Sequence, residues 1–119
     1  MAPKKTVLVI DDSVTIREGL RYALSQKGYE VIAAVDTVQG ITLAREKQPA
    51  LIVLDLQMPG GGGAVVLERL QSNSTTRDIP IIVYTSASTA GLQLPANVRL
   101  LAKSDHHREL VESVAKSLG

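Results

Sequence analysis

Residues 51–63 read LIVLDLQMPGGGG. Leu51, Ile52, Val53 and Leu54 form an unbroken apolar run, the pattern of a strand covered by helices on both faces of its sheet. A carboxylate, Asp55, ends the run, and a proline and four glycines follow closely. One acidic residue at a strand tip could cap a helix or sit in a turn. Its meaning depends on which other groups arrive at the same place.

On either side of this stretch the hydrophobic period switches repeatedly between strand and helix. Strands are predicted at 6–10, 29–34, 51–54, 79–84 and 98–102. Helices are predicted at 13–27, 37–47, 64–71 and 105–118. The first helix carries Ile16, Leu20, Ala23 and Leu24 on one stripe and ends at Gly28, a residue suited to a left-handed C-terminal turn. Thr37 is the expected N-cap of the second, with Pro49 just past its end. Val66, Leu67 and Leu70 line the third. The last turns Leu110, Val111, Val114, Ala115 and Leu118 inward, with Ser104 or Asp105 as its cap. Strands alternating with helices imply βαβ units and a doubly wound parallel sheet.

A length of 119 residues suits one domain, 1–119, with a core of its own. Thirteen basic residues balance twelve acidic ones, and aromatics amount to Tyr22, Tyr29 and Tyr84. That composition argues against direct nucleic-acid binding, which calls for a basic stripe and stacking aromatics. Cysteine is absent, which excludes disulfides and thiolate metal sites. No run approaches the roughly 18 apolar residues of a membrane helix. A soluble, cytoplasmic domain is expected.

Ligand sites in doubly wound sheets gather outside the carboxyl ends of the strands. Strand one ends in Asp11-Asp12, strand three in Asp55, strand four in Thr85-Ser86 and strand five in Lys103. Taken singly, each has an ordinary explanation: an Asp before a helix caps it, a strand-end hydroxyl is unremarkable, and a lysine is solvated. Together they would place three carboxylates, two hydroxyls and an ammonium on one rim. Clustered carboxylates repel unless a cation sits among them. Oxygen donors without His or Cys suit Mg²⁺. Two carboxylates could hold the ion while the third acts as a nucleophile toward phosphorus. The rim reads as a phosphoryl-accepting aspartate site.

These residues resemble the receiver domains of two-component response regulators. The match comprises Asp11-Asp12 after VLVI, Asp55 within IVLDLQMPG, Thr85 after PIIVY and Lys103 after RLLA, and it covers essentially the whole chain. The resemblance implies a flavodoxin-like (βα)₅ fold with strand order 2-1-3-4-5. It implies that Asp55 is the phosphoacceptor, served by a histidine kinase or a histidine phosphotransfer protein. It makes Asp12 and Asp55 ligands of Mg²⁺, Asp11 a ligand through water, and Gln57 the source of a backbone carbonyl. Thr85 becomes the switch hydroxyl, Ser86 the residue whose N–H meets a phosphate oxygen, and Lys103 the partner of the acceptor or its phosphate. The protein would be a self-resetting switch rather than a turnover enzyme, read by a downstream target that the sequence does not identify. Its oligomeric state, and whether it stands alone or is part of a longer regulator, stay open.

The departures fall in the output half. Leu100 stands where the family usually has an aromatic residue. Tyr84, one position from Thr85, should point to the opposite face. Ser104 replaces a proline after the lysine, which predicts either a trans bond with a displaced Lys103 or a strained cis bond. Residues 86–97, SASTAGLQLPAN, lack a helical stripe, so the fourth helix should be short or absent. Gly60 to Gly63 read first as a loose turn and second as a hinge. His106 and His107 read as solvated, and Arg17 and Glu18 as surface charges. Three alternatives remain: a degenerate receiver that works without phosphate, a haloacid-dehalogenase-type phosphatase, and a flavin module. The last two fit poorly, because the first-strand acids are adjacent and the flavin-holding aromatics are lacking.

Overall fold

The computed structural model describes residues 4–58, 62–86, 94–104 and 107–118. Their elements run β1 (Thr6–Ile10), α1 (Val14–Gln26), β2 (Glu30–Ala34), α2 (Thr37–Lys47), β3 (Leu51–Leu54), α3 (Gly62–Ser72), β4 (Ile81–Thr85), β5 (Val98–Ala102) and α4 (Arg108–Leu118). The strands form one all-parallel sheet in the order β2-β1-β3-β4-β5. The doubly wound architecture and strand order expected from the sequence are therefore present. Residues 87–93, where a short or missing helix was expected, lie outside the described residues.

Alternation along the strands divides the core in two. Leu8, Ile10, Ile52, Leu54, Ile81 and Val83 face α2 and α3, meeting Ala44, Val66, Leu67 and Leu70. Val7, Val9, Leu51, Val53, Ile82 and Tyr84 face α1 and α4, meeting Leu20, Leu24, Leu110 and Val114. Successive side chains of a strand point to opposite faces, and here both faces are covered, which is why β1, β3 and β4 read as continuous apolar runs. Thr85, next to Tyr84, belongs to the α2/α3 side.

Several boundaries differ from the sequence expectation, each for a local reason. The N-cap of α2 is Asp36, not Thr37: the Asp36 carboxylate accepts a hydrogen bond from the Gln39 N–H at 2.8 Å, and its backbone is extended. The Thr37 hydroxyl is buried and finds no partner among the described residues. β4 starts at Ile81, not 79, because Pro80 has no N–H for the ladder; the Pro80 carbonyl still accepts from the Ile52 N–H at 3.0 Å. α4 starts at Arg108, not 105, because His107 adopts a left-handed backbone with φ 54° that no α-helix accommodates. Ser104 thus lies outside the helix and does not cap it, and Asp105 lies outside the described residues. Within α4, Leu110 and Val114 are buried and Val111 and Leu118 partly so, whereas Ala115 is exposed.

Candidate phosphoryl-transfer site

The parallel register brings strand ends together. Ile10 pairs with both Ala34 and Leu54, so Asp11 and Asp55, one residue beyond, become neighbours. Their backbones are fixed there: the Asp11 N–H donates to the Ala34 carbonyl at 3.1 Å and the Asp55 N–H to the Ile10 carbonyl at 3.0 Å. The carboxylates of Asp11, Asp12 and Asp55 each offer an oxygen within 4.8 Å of the others. Asp11 and Asp55 are buried, the latter only 4% exposed, while Asp12 opens to solvent.

Lys103 reaches this cluster from the end of β5. Its ammonium lies 2.9 Å from Asp11 Oδ2 and 3.3 Å from Asp55 Oδ2. The 103–104 peptide bond is trans, as are all described peptide bonds. The displaced lysine expected to accompany a trans bond does not occur. Burial alone would lower the Lys103 pKa. The hydrogen bond and charge of Asp11, and then those of Asp55, outweigh it and leave the group above its ordinary 10.5. The ammonium is accordingly a built-in counter-ion to the acidic cluster.

The other carboxylate oxygens are also engaged. Asp11 Oδ1 accepts from the Ser13 N–H at 2.9 Å, and Asp55 Oδ1 from the Gln57 N–H at 3.2 Å. Gln57 is exposed just past the end of β3. Thr85 is buried at the tip of β4, and its carbonyl accepts from the Lys103 N–H at 3.2 Å. Ser86 follows it, exposed.

Two residues read as surface groups in the sequence are instead drawn into the fold, Arg17 beside the acidic cluster and His107 against Tyr84. Arg17 is half-buried and donates from Nη1 to the Asp11 carbonyl at 2.9 Å. It sits one turn into α1, within reach of the strand end that precedes the helix, and that spacing was the available signal. His107 is buried rather than solvated and lies with Nδ1 2.6 Å from the Tyr84 hydroxyl. Nothing in the local pattern announces that contact. His106 lies outside the described residues. Gly62 and Gly63, expected in a loose turn, are buried against the Asp55–Leu56 backbone. The Gly63 N–H donates to the Leu56 carbonyl at 3.0 Å, and a Cβ on Gly63 would fall 2.1 Å from the Asp55 carbonyl oxygen. Gly60 and Gly61 lie outside the described residues.

Comparison with known proteins agrees with this geometry. The family described as response regulator receiver domain matches residues 7–115. The phosphate regulon transcriptional regulatory protein PhoB of Pseudomonas aeruginosa is 40% identical over 82 residues, covering 69% of this chain and 36% of PhoB. The probable transcriptional regulator ycf27 of Cyanophora paradoxa is 39% identical over 99 residues, covering 79% and 40%. The chain thus spans well under half the length of these curated relatives. Among solved structures, the chemotaxis response regulator CheY4 of Vibrio cholerae superposes with a TM-score of 0.86 at 25% identity, covering 97% of this chain and 99% of its own. The response regulator TrrA of Thermotoga maritima, solved in complex with Mg(2+)-BeF, gives a TM-score of 0.84 at 30% identity, covering 95% and 98%. With the acidic cluster, the lysine and the five-stranded sheet all in register, the chain belongs to the response regulator receiver domains of two-component signalling.

Proposed function

We propose that this chain, as one domain over 1–119, is a phosphorylation switch whose acceptor is Asp55. The carrying observation is the convergence of three carboxylates and the Lys103 ammonium at the carboxyl end of the sheet. With the carboxylates ionised, three negative charges less one positive leave two to be balanced, and every donor is a hard oxygen. That set fits a divalent magnesium ion. Asp12 and Asp55 would hold it, with Asp11 through water and the Gln57 carbonyl. When bound, Mg²⁺ supplies charge neutralisation on the phosphoryl oxygens. The neighbour solved with Mg(2+)-BeF supports the same assignment.

The remaining work falls to the chain's own side chains. An Asp55 oxygen attacks phosphorus as the bond to the donor's imidazole nitrogen breaks, and the imidazole takes up a proton. Lys103, already 3.3 Å from Asp55, pairs with the incoming phosphoryl oxygen. The Thr85 hydroxyl and the Ser86 N–H donate to the others. Attack by water on phosphorus later releases phosphate and restores the carboxylate. Turnover is confined to the domain's own aspartyl phosphate, so the molecule is a switch and not a turnover enzyme. The donor is a histidine kinase or a histidine phosphotransfer protein in the cytoplasm. The readout is a change in a protein-binding surface; we assign this domain no nucleic-acid contact and no membrane contact. Among the described residues no helix is long and apolar enough to cross a membrane.

Incubation with acetyl phosphate and Mg²⁺ should add one phosphoryl group by intact mass. Asp55→Asn and chelation of the metal should each abolish the addition. A second reading, a phosphate-independent interaction module, draws on Leu100, 39% exposed on β5 where receivers usually carry an aromatic. It would prevail if neither acetyl phosphate nor any histidine kinase of the host modified Asp55.

A further inference from the structure

Among the described residues β5 is an edge strand of the sheet, paired on one side only, to β4. Strand ends at an edge fray readily, because few contacts hold them. Lys103 is the first residue past that end, yet its ammonium must be held in place between Asp11 and Asp55. Its own N–H is fixed to the Thr85 carbonyl at 3.2 Å. The next residue is fixed from the other face of the sheet. The Tyr84 hydroxyl accepts from the Ser104 N–H at 3.1 Å, lies 3.3 Å from the Ser104 carbonyl oxygen, and lies 2.6 Å from His107 Nδ1.

A phenol has one donor and two acceptor sites, and three partners surround this one. The arrangement that pairs them all has Ser104 N–H and His107 Nδ1–H donating to the phenol oxygen, while the phenol O–H donates to the Ser104 carbonyl. Tyr84 itself is 1% exposed and packed in the α1/α4 core, so its hydroxyl is a fixed point. His107 is fixed as well. Its ring stands edge-on to Tyr84 at a centroid distance of 5.6 Å, and Nε2 faces Gly19 of α1, where a Cβ would come within 3.0 Å. Its carbonyl accepts from the Val111 N–H in the first turn of α4. Residue 104, being serine and not proline, keeps the N–H that the phenol requires.

We propose that Tyr84 is a positioning residue for Lys103: its hydroxyl, buttressed by His107, clamps the Ser104 backbone and so aims the preceding lysine at Asp11 and Asp55. The proposal rests on the reading of Lys103 as part of the phosphoryl site. Tyr84 and Thr85 are adjacent, as are Lys103 and Ser104, so the clamp joins one pair of neighbours from the face opposite the site.

The test is a double-mutant cycle on Asp55 phosphorylation by acetyl phosphate with Mg²⁺. Tyr84→Phe keeps the ring and removes the hydroxyl. It should slow phosphorylation about fivefold, the size of one ordinary hydrogen bond. In a Lys103→Met background it should slow the reaction no further, since groups acting through one another are not additive. An equal slowing in both backgrounds would mean a general structural role and would overturn the proposal. A second readout does not involve phosphate: NMR relaxation at the Lys103 Cε in the metal-free protein should report an ordered side chain that becomes mobile in Tyr84→Phe. If no form of the protein is phosphorylated, the functional reading fails while this measurement still judges the clamp; an unchanged Lys103 sinks it. Should Tyr84→Phe fail to fold, the unaltered protein still serves. Its Ser104 amide should exchange as slowly as those of β5, and exchange at the rate of a free loop would refute the clamp.

Discussion

Gly63 shows how much the site depends on an atom that is not there. An added Cβ would lie 2.1 Å from the Asp55 carbonyl oxygen and 2.7 Å from the Leu56 Cα. Both obstacles are backbone, so no side-chain rotation relieves the clash. Gly63→Ala should cost at least about 1–3 kcal/mol, the usual range for overpacking, and should lower the urea midpoint accordingly. A midpoint equal to that of the parent would show that α3 does not approach the Asp55–Leu56 backbone this closely. The glycine run was conspicuous in the sequence. Which of its members is required was not, because the requirement comes from the distance between α3 and the end of β3. Asp55 was legible for the opposite reason: an acid closing an apolar strand stands out in one dimension. Arg17 and His107 were misread because a charge or imidazole near a helix start looks the same whether it meets water or a partner.

The helices and strands were legible wherever burial imposes a period. α1 buries Leu20 and Leu24 and half-buries Ile16 and Ala23, the stripe its spacing predicts. Boundaries were less so, since caps depend on individual hydrogen bonds. At α2 the sequence offers two adjacent cap types, Asp36 and Thr37, and the backbone selects Asp36. Asp36→Ala should therefore destabilise the protein by about 1 kcal/mol, the typical loss of a side-chain cap. Thr37→Val removes a buried hydroxyl with no partner among the described residues and should be neutral or mildly stabilising. Chemical denaturation of the two variants checks the pair; the reverse ranking would return the cap to Thr37. At α4 the left-handed His107 postpones the helix to Arg108, a stop that no propensity scale would place there.

Across the protein, the sheet acts as a divider between two cores and as a frame for one charged rim. The electrostatics of that rim carry a pH dependence. The folded-state pKa of Lys103 is raised above 10.5, so folding favours the ammonium. Its stabilising contribution is fully present below the unfolded value and is lost as pH rises through the folded one. In metal-free protein the unfolding midpoint should fall at alkaline pH by more than in Lys103→Met. Parallel decline of the two would show that the lysine is not held by Asp11 and Asp55. Strand count, the doubly wound class and the alignment of acids, hydroxyls and lysine at one sheet end were available from the amino-acid string. Hydrophobic period is a local property, and parallel connections put like ends of strands together. Packing alone settled the rest: the Tyr84–His107–Ser104 contact, Arg17 on the Asp11 carbonyl, and the fit of Gly63 against Asp55. Each joins groups from separate elements across the fold. Whether such groups meet at 3 Å or at 6 Å depends on how helices seat on the sheet, and no pattern within one segment encodes that distance.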